Sequence, residues 1–442
     1  MKRPMVYAAV LLSATSLLIL NLSYRFSVVF AALFACLTVI FVLFKPFKEC
    51  AIITICALLL CINYLNIYKN NIEPCEKLHK EQATITGIVL DASYHFEDSV
   101  VHYVKITDSS LPQIVGKTAM LNSYNFAVED AAEIAATVTI SSKPKFSFYS
   151  DNVYLTGHID ELYSNREVKS FDAVIAKMRA KIRHIIFDNL PYDIATTING
   201  LTIGDRSYEE DDFYNAVKNC GVSHVLVVSG SHMVIVSGSL YTLLNKLKAP
   251  SSFSIILTFI VTILFMALCG FSPSVIRAGF MYSLMLFGKL LHRDPDALNS
   301  LSVSLVLMLI FNPFLLYNIA FLLSVLSTAG IIILNPLLLK LIKVEKWRFQ
   351  ALRTTAELAT VTISAGIATL PVCLICFGWI SPWILLVNMI ISFAVTVAVV
   401  AAFIGILLDL APSFRPLSDI SFMVCSFATA YLNKTILFFG NL

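Results

Sequence analysis

Residues 200–233 read GLTIGDRSYEEDDFYNAVKNCGVSHVLVVSGSHM and run straight into a long apolar segment. Asp205 and Arg206 stand side by side, His224 and His232 are eight positions apart, and Ser229 precedes Gly230. Arg277 follows four residues after Pro273, inside another apolar run. Ionisable groups at membrane depth are costly and usually face a wet cavity or one another. Glycine-broken helix is tolerated there only where backbone lines water or is buried in protein. The chemistry open to this set is ion pairing, hydrogen bonding and the holding of an anion.

Each group has two readings. Asp205 and Arg206 form either a local ion pair that fixes the turn or a substrate contact, with Arg206 the donor and Asp205 orienting it or another basic group. On one continuous helix His224 and His232 would sit about 80° apart around the axis. That offset is too wide for a metal pair and leaves hydrogen-bonded core histidines or pore-lining donors. The Ser229 hydroxyl either satisfies backbone freed by a kink at Gly230 or faces a pore. Ser229 beside a histidine also invites a hydrolase reading, but there is no G-x-S-x-G elbow and no carboxylate placed to orient the imidazole. Arg277 either snorkels to the headgroups or buries a fork suited to phosphate. The eight histidines are scattered, so neither a metal site nor a cofactor is expected.

The elements that must position these groups follow from hydropathy. The 442 residues are 57% hydrophobic and 14% charged, with mean hydropathy +0.78, against roughly 25% charged in soluble domains. A polytopic α-helical membrane protein is the expected class. Apolar runs near 5–21, 26–44, 51–68, 224–245, 252–270, 274–291, 297–311, 314–335, 357–378, 382–408 and 419–440 give about eleven spans, judged against roughly 20 residues per crossing. Lys and Arg gather in alternate loops, at Lys2, Arg3, Lys45 and Lys48, then Lys246, Lys248, Lys289, Arg293, Lys340, Arg353 and Arg415. The loops at 271–273, 312–313 and 378–383 have none. The positive-inside rule then puts residues 69–200 and the C-terminus outside the cytoplasm. With two more spans following and no small-x-small site, the first span is read as uncleaved.

Residues 1–70 thus hold three transmembrane helices, and 71–165 differ in kind. Period-two alternation over 83–90, 100–107, 117–122, 133–141 and 152–159 predicts five short strands, which suit a small OB-like barrel. From 71 to 161 there are six Lys/Arg and thirteen Asp/Glu, so this barrel is acidic and will not attract phosphate at long range. Segment 166–222 begins with an amphipathic pattern over 171–187, read as a helix in the plane of the membrane surface. Its Lys177, Arg179, Lys181 and Arg183 are read as a headgroup anchor or as a basic collar that gathers phosphates. The apolar stretch 194–203 is too short to span and is read as a re-entrant or surface-lying hairpin. Of the ten cysteines, Cys75 and Cys220 fall in outside segments, where a bridge is conceivable.

Several blocks in fixed order carry a family likeness. Gly204-Asp205-Arg206 is followed by Gly221-Val222-Ser223-His224-Val225-Leu226 and Ser229-Gly230-Ser231-His232. Then come Ser274-Val275-Ile276-Arg277-Ala278-Gly279-Phe280-Met281, Arg293-Asp294-Pro295-Asp296 and Phe321-Leu322-Leu323-Ser324. Ala368-Thr369-Leu370-Pro371, Phe377-Gly378 and Asn388 continue the series. The set resembles the ComEC-type competence family of DNA-uptake channels, with its GDR, GxSHLLxxSGxH, S-V-x-R-A-x-x-M, R-x-x-D and F-x-L-S runs.

That resemblance implies a channel domain over 223–442 that imports single-stranded DNA across the bacterial cytoplasmic (inner) membrane in natural transformation. The candidate path residues are Asp205, Arg206, His224, Ser229, Gly230, His232 and Arg277. Implied partners are single-stranded DNA, membrane lipids, a DNA receptor and a cytoplasmic helicase-like motor, since the chain has no P-loop. Many members of the family continue into a metallo-β-lactamase-like domain marked H-x-H-x-D-H. This sequence has no such motif before Leu442, so no enzyme activity is expected and a separate nuclease is implied. The rival readings are a transporter or flippase of another polar solute and a non-transporting membrane scaffold.

Overall fold

Each apolar run named above overlaps a helix in the computed structural model. Seven helices among the described residues are long and apolar enough to cross a membrane. The structure describes the chain apart from residues 1–3, 22–23, 44–47, 79, 96–98, 125–131, 142–143, 168–169, 206–210, 227, 294, 344–349 and 379–380. It divides into two compact units, Met1–Lys177 with Asp296–Leu322, and Met178–Pro295 with Leu323–Leu442.

The chain opens with α1 (Pro4–Asn21), α2 (Tyr24–Leu43) and α3 (Lys48–Ile67), followed by a π-helical turn (Tyr68–Ile72) and α4 (Glu73–Glu76). Next come β1 (Gln82–His95), β2 (Ser99–Ser109), β3 (Thr118–Tyr124), β4 (Ala132–Ile140), α5 (Phe146–Ser150) and β5 (Val153–Glu167). They lead to α6 (Phe171–Asn189), α7 (Tyr192–Thr202), α8 (Asp211–Cys220), α9 (Gly230–Lys246), α10 (Ser251–Leu268) and α11 (Pro273–Leu290). The last helices are α12 (Ala297–Phe311), α13 (Ile319–Ile342), α14 (Gln350–Phe377), α15 (Ile384–Asp409) and α16 (Arg415–Gly440).

All five expected strands form, and they close into a barrel in the order β1-β2-β3-β5-β4. β3 runs parallel to β5 and the other pairings are antiparallel. Closure leaves no free sheet edge to aggregate. β1 and β5 run well past the sequence expectation, because register shifts at Thr86/Gly87 and Val89/Asp91 let β1 bend and keep pairing. Such bulges tighten local twist. At Gly87 a Cβ would lie 2.5 Å from Val104 Cγ1 and 2.9 Å from the Lys105 carbonyl, so only glycine fits the crossing.

The barrel interior includes Ile85, Val89, Val104, Ile106, Leu121, Ile134, Val138 and Ile159, and beside the polar Ser123 it buries a histidine, His102. Its Nε2 meets Ser123 Oγ at 2.8 Å. Burial pushes the imidazole down to about 4, so it is neutral in the fold. The same unit ties barrel to helices with side chains on backbone. Asn312 Nδ2 donates to the Tyr149 and Ser150 carbonyls at 3.1 and 3.0 Å. Lys117 Nζ donates to the Asn71 carbonyl at 3.3 Å and touches Cys75 Sγ at 3.4 Å. Cys75 and Cys220 are each buried as free thiols, so the conceivable bridge is absent. The sequence reading placed both outside the cytoplasm, where a bridge would need them together, whereas each packs inside its own unit.

In the second unit α7 sits among α15 and α16. Ile194, Ala195, Ile198 and Leu201 pack with Val387, Ile391, Ala398, Leu432 and Ile436. Nine of the eleven residues of α7 are buried, so the short apolar stretch is not surface-lying. Its polar groups are satisfied across the core, with Thr197 Oγ1 donating to Asn433 Oδ1 at 3.1 Å and Asn433 Nδ2 to the Asp193 carbonyl at 3.1 Å. The amphipathic α6 forms from the expected start at Phe171, runs two residues past the expected end to Asn189, and ends before Pro191. It does not present one apolar face to lipid: Phe171 and Val174 are exposed while Ile185 and Ile186 are buried in this core. Its basic face also turns partly inward, at Arg183.

Candidate functional site

The run 224–245 is not one helix. Ser229 is extended (φ −111°, ψ 169°) and caps α9, which starts at Gly230. Ser and Gly at a helix start disfavour continuation from upstream and supply an N-cap. His232 stands at the third helical position, where a capping box usually has Glu or Gln. Its Nδ1 accepts the Ser229 backbone N–H at 3.3 Å, and the reciprocal half of the box is also present. The proton of this imidazole is therefore on Nε2. His224 lies in the turns before the helix, with its side chain exposed. The 80° offset does not apply, and the two histidines are not brought together.

The nucleophile geometry of a hydrolase is not formed. Ser229 Oγ meets Ser231 Oγ at 2.6 Å, while the imidazole engages backbone rather than the hydroxyl. Among the described residues no three His, Cys, Asp or Glu gather as a metal site would require.

Asp205, 4% exposed, pairs with Arg183 of α6 rather than with its sequence neighbour. Asn199 Nδ2 donates to the Asp205 carbonyl at 3.1 Å, which anchors the turn after α7. Arg206 lies outside the described residues. The adjoining Gly204 faces Val228, whose Cγ2 would be 3.5 Å from a Cβ placed there. The turn that carries Asp205 therefore abuts the segment entering Ser229.

Arg277 does not snorkel. It is 8% exposed, and its Nε donates to Ser324 Oγ at 2.9 Å while Nη1 reaches Met281 Sδ at 3.6 Å. A Cβ on Gly230 would lie 3.3 Å from Arg277 Nη2 and 3.0 Å from Ala278 Cβ, so glycine is what allows α11 to approach the start of α9. Ser229, Gly230, His232, Arg277 and Ser324 thus meet, with Gly204 and Asp205 beside them. Neither spacing nor periodicity pointed to Arg183, Asn199 or Ser324 as partners. Ser324 was within reach only as the last residue of the F-x-L-S run.

The family profile described as "Competence protein" matches residues 201–442, more than half of the chain. The chain belongs to this family. Every residue of the cluster except Arg183 and Asn199 falls inside the matched competence block. A similar protein is ComE operon protein 3 of Bacillus subtilis (strain 168), 27% identical over 227 residues. That stretch covers 51% of this chain and 28% of the relative, so the competence protein described here corresponds to less than a third of that relative's length. No solved structure matches the chain.

Proposed function

We propose that this competence protein is a membrane component of DNA uptake that passes a single strand across the cytoplasmic membrane. The observation that carries the reading is the convergence of competence-block residues, from the turn after α7, the start of α9, α11 and α13, on one polar cluster. Moving a polyanion through a bilayer calls for a few replaceable donors, because tight binding would arrest it. In this reading all of the apolar helices span, including α9 and α11, whose polar groups face the path. Asp205, His232 and Arg277 are packed in the conformation described, so the path is closed here and opens by movement of α9 against α11.

The barrel is read as OB-like and extracytoplasmic, a reading supported by its closed strand order and the parallel β3–β5 pairing. Its excess of carboxylates favours a gating or structural role over DNA capture. The chain performs no covalent chemistry in this account; a DNA receptor, a cytoplasmic motor and a separate nuclease act with it. Deleting the gene is expected to abolish uptake of labelled DNA, and wild-type expression to restore it. Undiminished uptake in the deletion strain would overturn the reading.

A further inference from the structure

A cleft of about 310 Å³ lies where the segment after β4 meets β3 and β5. Its floor is the parallel β3–β5 seam, in which Met120 stands opposite Thr156. Strand alternation sends Ala119 and Leu121 into the barrel, and Met120 and Asn122 outward to the cleft. Ser141, Lys145 and Phe148 line it from the loop and α5. These walls are held in place. The Ser141 N–H donates to the Thr156 carbonyl at 2.7 Å, and the ring of Tyr149, next to Phe148, lies 5.9 Å from that of Tyr154 and 5.3 Å from that of Phe314. Among the described residues nothing bonds to Asn122 Oδ1, which is withdrawn from solvent. An unpaired buried acceptor is costly, so an occupant that brings an O–H or N–H is favoured.

The lining and the charge around it select the occupant. An aromatic ring and a thioether stand beside an amide and two hydroxyls, apolar surface next to closely spaced neutral hydrogen-bonding groups. A sugar ring has the matching form, with an apolar C–H face and a rim of hydroxyls. The volume is at the small end of ligand sites and too small for a folded partner. Lys145 brings one ammonium, but residues 71–161 hold thirteen Asp/Glu against six Lys/Arg, which repels a polyanion. Five-stranded OB barrels take oligosaccharides as well as oligonucleotides on the face of their second and third strands and the loop between the fourth and fifth. Here charge separates the two.

We propose that this cleft binds a neutral oligosaccharide. One sugar ring lies on Phe148 and Met120, and its hydroxyl or acetamido groups bond to Asn122 and Ser141. In the topology proposed above the barrel is outside the cytoplasmic membrane, so the occupant is a glycan of the cell envelope. Binding there fastens the barrel to that glycan and is independent of whether DNA passes the helices.

The test uses the full chain in phospholipid nanodiscs, free of sugar-headed detergent, with the N-acetylglucosamine tetramer and cellotetraose as probes. Binding is read by calorimetry and by saturation-transfer NMR. At least one probe is expected to bind, with the same affinity at low and high salt. Phe148→Ala should weaken binding about tenfold and Asn122→Leu about fivefold. Tyr163→Ala removes an exposed ring of β5 outside the cleft and should leave the affinity unchanged. Hydrogen exchange of the β3 and β5 amides checks that each variant keeps the barrel; Asn122→Leu, on an outward strand position, carries the test if Phe148→Ala does not. Binding of neither probe overturns the proposal, as does wild-type affinity in the folded variants. Capture of oligothymidylate instead, with a salt-dependent affinity lost in Lys145→Gln and Phe148→Ala, would overturn it in favour of nucleic acid.

Discussion

The Arg183–Asp205 pair is nearly dry, with side chains 12% and 2% exposed, so removing one member takes the opposite charge away from a group that bulk water does not solvate. Asp205→Asn or Arg183→Gln is expected to cost about 3–5 kcal/mol, read as a loss of stability in detergent unfolding. Replacing both together, Arg183→Met with Asp205→Leu, should recover most of it, because the desolvation penalty goes with the charges. If the single and double variants melt alike, the pair is not what holds the turn after α7. The α9 cap gives a second expectation. Ser229→Ala should cost about 1 kcal/mol. His232→Gln, which keeps an acceptor at the third helical position, should be tolerated where His232→Leu is not. Uptake lost in His232→Gln at unchanged stability would mean that the imidazole acts on the cargo as well as on the cap.

Elements were legible to different degrees, for physical reasons. The strands announced themselves because a half-buried barrel wall imposes period two, and β4 alternates buried and partly buried along its whole length. Their ends did not, because a bulge leaves no mark in the pattern and Asp91 reads as a turn. The apolar runs gave the long helices, but hydropathy cannot place a cap inside a run, and so the start of α9 was set too early. Burial of α7 and the inward turn of Arg183 depend on α15, α16 and Asp205, partners far away in sequence or across a turn. Nothing local encodes such pairings. His102 was missed for the same reason: only closure of the barrel makes it interior.

That histidine has a measurable consequence at the element scale. Its folded value of about 4 lies below its ordinary 6.5, so between those pH values the unfolded chain takes up a proton that the barrel refuses. Its contribution to stability is whole above pH 6.5 and falls as pH drops towards 4, by up to about 3 kcal/mol. Asp151 acts in the opposite sense, since burial raises its carboxyl and the fold holds that proton more readily than the unfolded chain. Hydrogen exchange of barrel amides at pH 7.5 and 5 should show protection lost in the wild type and retained in His102→Gln. Equal losses in both would remove His102 as the cause.

At the scale of the whole molecule, the proposed reading of eleven spans puts the two termini on opposite sides of the membrane. Periplasm-active reporters fused after residue 442 should be active and those fused after residue 248 silent; activity at both would break the alternation of Lys and Arg loops as a guide to topology. The central claim is that the cluster at the start of α9 borders the path of DNA. It is tested most directly by placing a photo-crosslinking residue at position 231 in cells importing labelled DNA, with position 393, on the exposed face of α15 where Phe393 is 80% exposed, as the comparison. Crosslinks from 231 and none from 393 are the predicted result. DNA imported at the normal rate with no crosslink at 231, or with equal crosslinks at both positions, would contradict it.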